Sequence, residues 1–216
     1  MSLNRWLPLL GVAVIVLTAC GEEPTEVVYQ HLENSVEHEQ VFEEQQEPLH
    51  SAEERENELF EEIVALGTDE FEQISTLADE ALVSIDSRVT MIEQEKESIE
   101  ASYEEFIQIE EQVSNIEGEE LRSLLEDLKK TMNERFENYQ ALYVAYSEAI
   151  NSDRTLFEML KQEDLTLEEL QSHIELVNES YGQVNEQKEK FNRSTDEYNE
   201  MKRSFYKAAE LNVRYE

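Results

Sequence analysis

The stretch FEQISTLADEALVSIDSRVTMIEQEKESIEASYEEFIQIEEQV, residues 71–113, decides the fold. Every seventh residue from its start is Phe71, Ala78, Ile85, Ile92, Ile99, Phe106 and Val113, with no polar member. Seven residues make two turns of α-helix, so these side chains form one apolar seam that must pack against a partner. A companion seam holds Ile74, Ala81, Ile109 and Ile116 but carries Arg88, Glu95 and Ser102 in its middle. There Val89 and Tyr103, one place over, widen the stripe. The pattern specifies a long helix of bundle or coiled-coil type.

The same periodicity extends in both directions. Gly67, Gly118 and the polar Gln162-Glu163-Asp164 separate four segments: 25–66, 68–116, 119–163 and 166–212. The third runs through Leu121, Leu125, Leu128, Met132, Tyr139, Leu142, Tyr146, Ala149, Leu156 and Leu160. The fourth runs through Leu167, Leu170, Ile174, Val177, Tyr181, Val184, Phe191, Tyr198 and Phe205. At Leu66-Gly67-Thr68-Asp69, Gly67 suits a left-handed helix end and Thr68 an N-cap. Thr166-Leu167-Glu168-Glu169 is a capping box, with Leu165 and Leu170 as its hydrophobic staple. Short connections force consecutive helices antiparallel. The expected fold is all-α, an elongated antiparallel up-and-down four-helix bundle with a shaft roughly 65 Å long.

Segment one is the least regular. Its seam of Val28, Leu32, Phe42, Leu49, Leu59, Ile63 and Leu66 is interrupted by His31, His38, Gln45 and Glu56. Pro48 lacks an amide donor and crowds the preceding turn, which predicts a kink or break near Glu47. The alternative is a three-helix bundle preceded by a loose 22–47 leader.

The N-terminus has a separate meaning. Arg5 precedes an uncharged apolar run, Leu7 to Leu17, followed by small residues, which is the pattern of an export signal. The run is too short to span a bilayer comfortably, since a spanning helix needs about 20 apolar residues. Leu17-Thr18-Ala19-Cys20 resembles the lipobox of bacterial lipoproteins. That resemblance implies a signal peptide over 1–19, cleavage between Ala19 and Cys20, and lipid on the Cys20 thiol. Residues 20–24 would be a short tether, and 25–216 a single helical-bundle domain. Paired acyl chains anchor stably where one is marginal, each buried CH₂ contributing about 0.8 kcal/mol. Cys20 is the only cysteine, so no intramolecular disulfide can form.

The chain has 52 Asp and Glu against 17 Lys and Arg. Residues 20–117 hold 30 acidic and 3 basic groups, and residues 118–216 hold 22 and 13. Such a field disfavours nucleic acid and bare anionic lipid, and favours cations or basic proteins. Glu greatly outnumbers Asp, in keeping with acids on helix faces.

No catalytic constellation assembles, and the expectation is a protein without enzymatic activity or cofactor. His38-Glu39 is followed by Gln40, Val41 and Phe42, so it is not a zinc-peptidase motif. Glu47-Pro48-Leu49-His50 has the ExxH spacing of di-iron bundles, but it is a single copy and Pro48 spoils its helix. Glu-rich runs such as Glu53-Glu54 and Glu61-Glu62 could hold divalent cations loosely, without the gathered oxygens of a specific site. His31 and His38, seven apart, share a helix face and could form a polar layer or a pH-sensitive patch. Their plainer reading is two solvated or partly satisfied side chains. Tyr139, Tyr143, Tyr146, Tyr181, Tyr198, Phe205 and Tyr206 stand at core spacing; exposed, they would stack on sugar rings.

Together these features resemble the YkyA-like cell-wall-binding lipoproteins of Gram-positive bacteria. The resemblance is carried by the lipobox, by Arg135 to Ile150 (RFENYQALYVAYSEAI) and above all by Asp164 to Val213, beginning DLTLEELQSHIELVNESYGQVNEQ. It implies a lipid-anchored helical bundle on the outer face of the cytoplasmic membrane, in contact with the wall. Its role there would be binding or spacing, with an unidentified wall polymer as partner. The alternative is an adaptor that engages another envelope protein through a bundle face or the distal tip. Cys20 is the only residue whose role the resemblance transfers. With helix one starting just after Cys20, the Gly118 turn and the C-terminus belong at the base, and the Gly67 and 162–167 turns at the tip.

Overall fold

A computed structural model describes residues 23–211. The expected signal, the cleavage point at Ala19 and the lipid site at Cys20 lie outside them. The described chain is all-helical: α1 (Pro24–His38), α2 (Gln40–Val64), α3 (Phe71–Phe106), α4 (Glu119–Leu160) and α5 (Leu167–Ala208). A short 3-10 turn, Thr68–Glu70, leads into α3, and a longer 3-10 helix, Ile107–Asn115, leaves it. Segment one is α1 and α2 end to end, so the architecture is the up-and-down four-helix bundle that the seams predict. The three-helix alternative falls away because residues 24–47 are helical and Val28 and Leu32 are fully buried.

Both α3 seams face inward. Ala78, Ile85, Ile92, Ile99 and Phe106 are buried, and so are Arg88, Glu95 and Ser102 in the companion seam. The first core region, at the base, joins Val28 and Leu32 to Phe106, Ile109, Leu125, Met132, Phe205 and Tyr206. A second, at the tip, joins Leu59 and Ile63 to Ala78, Ile85, Leu156, Phe157 and Leu160. Between them lies a small aromatic cluster of Tyr139 and Phe191 with Ile99, against which Phe42 packs. Burying these side chains supplies the driving force that helix propensity alone cannot.

The helices pair as two hairpins. α1 and α2 lie on α3, α5 lies on α4, and contacts within each pair exceed those of α3 with α4. The remaining seam, between segment one and α5, is open along much of its length: the backbones of α2 and α5 come near each other almost nowhere. Side chains bridge its basal half, where Tyr29 meets Tyr206 and Phe42 meets Phe191 edge to face.

Segment one is kinked, but the helix is interrupted at Glu39 and runs on through Pro48. The cause is a side chain from another helix. Phe42 N–H would ordinarily donate to His38 C=O; instead it donates to Ser98 Oγ (3.2 Å), and Ser98 Oγ donates to His38 C=O (2.5 Å). A hydroxyl inserted into the backbone ladder breaks a helix there. At Pro48 the carbonyl deprived of its partner belongs to exposed Glu44, where water can serve it, and the next residue, Leu49, is buried.

One helix end differs from expectation. Gly67 is extended (φ −82°), not left-handed, and caps the 3-10 turn itself, its N–H donating to the Glu70 carboxylate (3.0 Å). The glycine that needs its freedom is Gly118, at φ 92°, where the chain reverses into α4. α5 stops at Ala208 with a left-handed Glu210 (φ 55°) and a bond from Leu211 N–H to Tyr206 C=O (3.1 Å), the Schellman pattern. The Thr166 capping box forms as the sequence predicts: Thr166 Oγ1 accepts from Glu169 N–H (3.3 Å), and the Glu169 carboxylate accepts from Thr166 N–H (3.0 Å).

Candidate functional site

The polar residues that interrupt the α3 seam each meet a polar residue of segment one, in antiparallel order. Ser102 donates to Glu39 (2.7 Å) and lies 2.8 Å from the Ser35 hydroxyl. Glu95 accepts from Gln46, and Arg88 donates to Glu53 (3.2 Å) and Glu56 (2.6 Å). As residue numbers fall along α3 they rise along segment one, so the polar contacts fix one register out of several that the apolar seams alone would allow.

The basal layer is closed by Arg135 of α4, whose guanidinium grips Glu39 through two bonds (2.8 and 2.6 Å) and donates through Nε to Thr195 (3.0 Å). The upper layer centres on Arg88, which is wholly buried. Besides its two glutamates, it donates to Asp153 (2.9 Å) and to the Tyr181 hydroxyl (2.8 Å). Tyr181 in turn donates to Asp153 (2.6 Å), Ser84 to Glu56 (2.8 Å), and Tyr146 to Glu53. Burial pushes the Glu56 and Asp153 carboxyls above the ordinary carboxylate range, with Arg88 among the groups pulling each back. The surrounding carboxylates and tyrosines hold the Arg88 guanidinium charged despite burial.

In front of this layer the open α2–α5 seam forms a cleft. Its lower part, about 260 Å³, is bordered by Gln46 and Glu53 of α2, Glu95 of α3, Tyr139, Tyr143 and Tyr146 of α4, and Asn185, Lys188 and Asn192 of α5. Its upper part, about 360 Å³, is bordered by Glu53, Asn57, Asp153, Phe157, Asn178 and Tyr181. Glu53 and Tyr181 border both parts, so the two follow one another along the shaft. Burial pushes the Glu95 carboxyl up to about 8, against a single bond from Gln46. The cleft thus combines aromatic rings, amides and carboxyls around one ammonium group.

The aromatic set divides between core and cleft. Tyr139, Tyr198, Phe205 and Tyr206 are buried, whereas Tyr143, Tyr146 and Tyr181 are half-buried and border the cleft. His31 and His38 do not act together. His31 Nδ1 lies 2.9 Å from the Glu105 carboxylate, whose pKa is lowered by that bond and by one from Asn34, while the His38 side chain is exposed. Glu47 and His50 are exposed, and His50 lies 3.4 Å from Glu54 one turn on. No group of three metal-ligating side chains occurs among the described residues. Sequence reasoning missed the amides. Asn178, Asn185 and Asn192 recur every seven residues along α5, a signal available in the sequence but hidden among ordinary surface asparagines.

Comparison with known proteins gives three findings. The profile of the YkyA family, described as "Putative cell-wall binding lipoprotein", matches residues 23–208. The uncharacterized lipoprotein YkyA of Bacillus subtilis (strain 168) is 28% identical over 201 residues, covering 93% of this chain and 90% of that protein. A conserved Staphylococcus aureus protein of unknown function, known from a 1.6 Å crystal structure, superposes with a TM-score of 0.60 at 15% identity. That match covers 84% of this chain and 91% of the other, and shows a shared fold.

Proposed function

The chain belongs to the YkyA family, and from that premise we propose that it is a non-catalytic binding lipoprotein, anchored by lipid on Cys20 and working against the cell wall. One observation carries the reading: the protein is a shaft with its cleft set well away from the end that would meet the membrane. Glu23 and Pro24, the Asn115-Ile116 turn and Ala208 to Glu210 border one concavity, so the start of α1, the turn before α4 and the end of α5 share the base. Cys20 precedes α1 by only a few residues. The cleft lies some 25 residues farther along segment one, roughly 35–40 Å up the shaft. That height suits contact with a polymer layer above the bilayer. None of the described helices is long and apolar enough to cross a membrane.

The carboxyls of the Arg88 layer speak for binding over catalysis. Glu53 is held by Arg88 and Tyr146, and Asp153 by Arg88 and Tyr181. Groups committed in this way stiffen a site but are poorly placed to shuttle protons.

A fragment from residue 22, which keeps the whole bundle, is expected to sediment with insoluble peptidoglycan sacculi. If it stays in the supernatant while crosslinking on cells captures an envelope protein, the adaptor role replaces wall binding. Cys20→Ala in the full chain is expected to abolish fatty-acid labelling and leave an uncleaved precursor; continued labelling would sink the anchor.

A further inference from the structure

We propose that the α2–α5 cleft binds an uncharged, linear sugar chain of N-acetylhexosamine type; the assignment rests on the wall-binding reading and names its ligand. Four observations lead there. The cleft is elongated, its two parts lying in sequence along the antiparallel α2 and α5, which suits a chain better than a compact molecule. Three of its aromatic members, Tyr143, Tyr146 and Tyr181, are half-buried tyrosines, and flat rings of this kind accept the apolar C–H face of a pyranose. The Tyr143 hydroxyl forms no hydrogen bond among the described residues, unlike those of Tyr146 and Tyr181.

The third observation is the row of amides. Asn178 of α5 borders the upper part of the cleft together with Asn57 of α2, and Asn185 and Asn192 border the lower part. All four are exposed, and none makes a side-chain hydrogen bond among the described residues. Each carboxamide both donates and accepts, as sugar hydroxyls and acetamido groups require. Seven helical residues rise roughly 10.5 Å, close to the length of an extended β-1,4-linked disaccharide. The row can therefore meet the same group on successive repeats of such a chain.

The fourth is charge. Glu53, Glu56 and Asp153 border the cleft around the single Arg88, so the carboxyls there outnumber the cation they share, in a protein of net charge −35. A phosphate-bearing wall polymer would be repelled there, while a neutral glycan is not.

The test is calorimetric titration of the fragment from residue 22 with chitotetraose, and in parallel with a glycerol-phosphate oligomer and a free stem peptide. Saturable binding of chitotetraose alone is expected. Asn178→Ala with Asn185→Ala should weaken it tenfold or more with an unchanged melting temperature, since both side chains are exposed and uncommitted. Tyr143→Ala should do the same, with retained helical circular dichroism as its control. Equal or tighter binding of the anionic oligomer or the peptide would overturn the assignment, as would unchanged affinity in the double asparagine variant. Sedimentation with sacculi but no chitotetraose binding overturns only the sugar; loss of both overturns the wall reading as well.

Discussion

Arg88→Met is expected to destabilise the protein by about 3–5 kcal/mol, the cost of leaving buried carboxylates without their cation. Arg88 is the only positive charge among Glu53, Glu56 and Asp153, and it holds α2, α3, α4 and α5 together through side-chain bonds. Methionine fills similar space but satisfies none of those oxygens. The decisive comparison adds Glu56→Leu and Asp153→Leu to Arg88→Met. Removing the whole layer should recover most of the loss, because a buried ionic cluster also costs desolvation and is often replaceable by apolar groups. Urea denaturation of both variants measures this. A loss below about 1 kcal/mol in Arg88→Met would show that the layer does not act as a linked unit.

Glu95→Gln should act in the opposite direction, and only at higher pH. The Glu95 carboxyl has a folded pKa of about 8 against an ordinary 4.5, because burial penalises its charged form. Between those values the unfolded chain has released the proton and the folded chain still holds it. Stability therefore falls as pH rises through this window, and the contribution present below about pH 4.5 is gone above about pH 8. Glutamine keeps the shape and can still accept from Gln46 but never ionises. The variant should match the parent near pH 4.5 and exceed it by on the order of 2–4 kcal/mol at pH 9. Glu56 and Asp153 are shifted in the same direction, so the slope should flatten without vanishing. Parallel pH–stability curves for the two proteins would contradict the assignment.

Much of this fold was legible because its code is local and repetitive. The seven-residue seam from Phe71 to Val113 required a long packed helix, and the Thr166 box placed the start of α5 to the residue. What escaped was tertiary. The break at Glu39 depends on Ser98, a hydroxyl 56 residues away that no window around Glu39 contains. Pro48 misled in the opposite sense, since packing of Leu49, Leu59 and Ile63 outweighs a local penalty of about 3 kcal/mol. Arg88, Glu95 and Ser102 stood out as interruptions, but a single polar residue in a seam does not disclose its partner. The cleft was half visible: the tyrosines were candidates from their spacing, but which of them border an opening depends on how α2 and α5 are held apart.

That separation has a mechanical consequence. Two hairpins joined more weakly to each other than within themselves behave like the jaws of a clothes-peg, with α3 and α4 as the spring side and α2 and α5 as the mouth. Both jaws are net negative, the N-terminal one carrying most of the acidic excess, so their repulsion tends to open the mouth and screening relaxes it. Spin labels on α2 and α5 should move apart as ionic strength falls, while labels on α3 and α4 keep their spacing. In this picture the salt of the surrounding medium sets how wide the protein gapes.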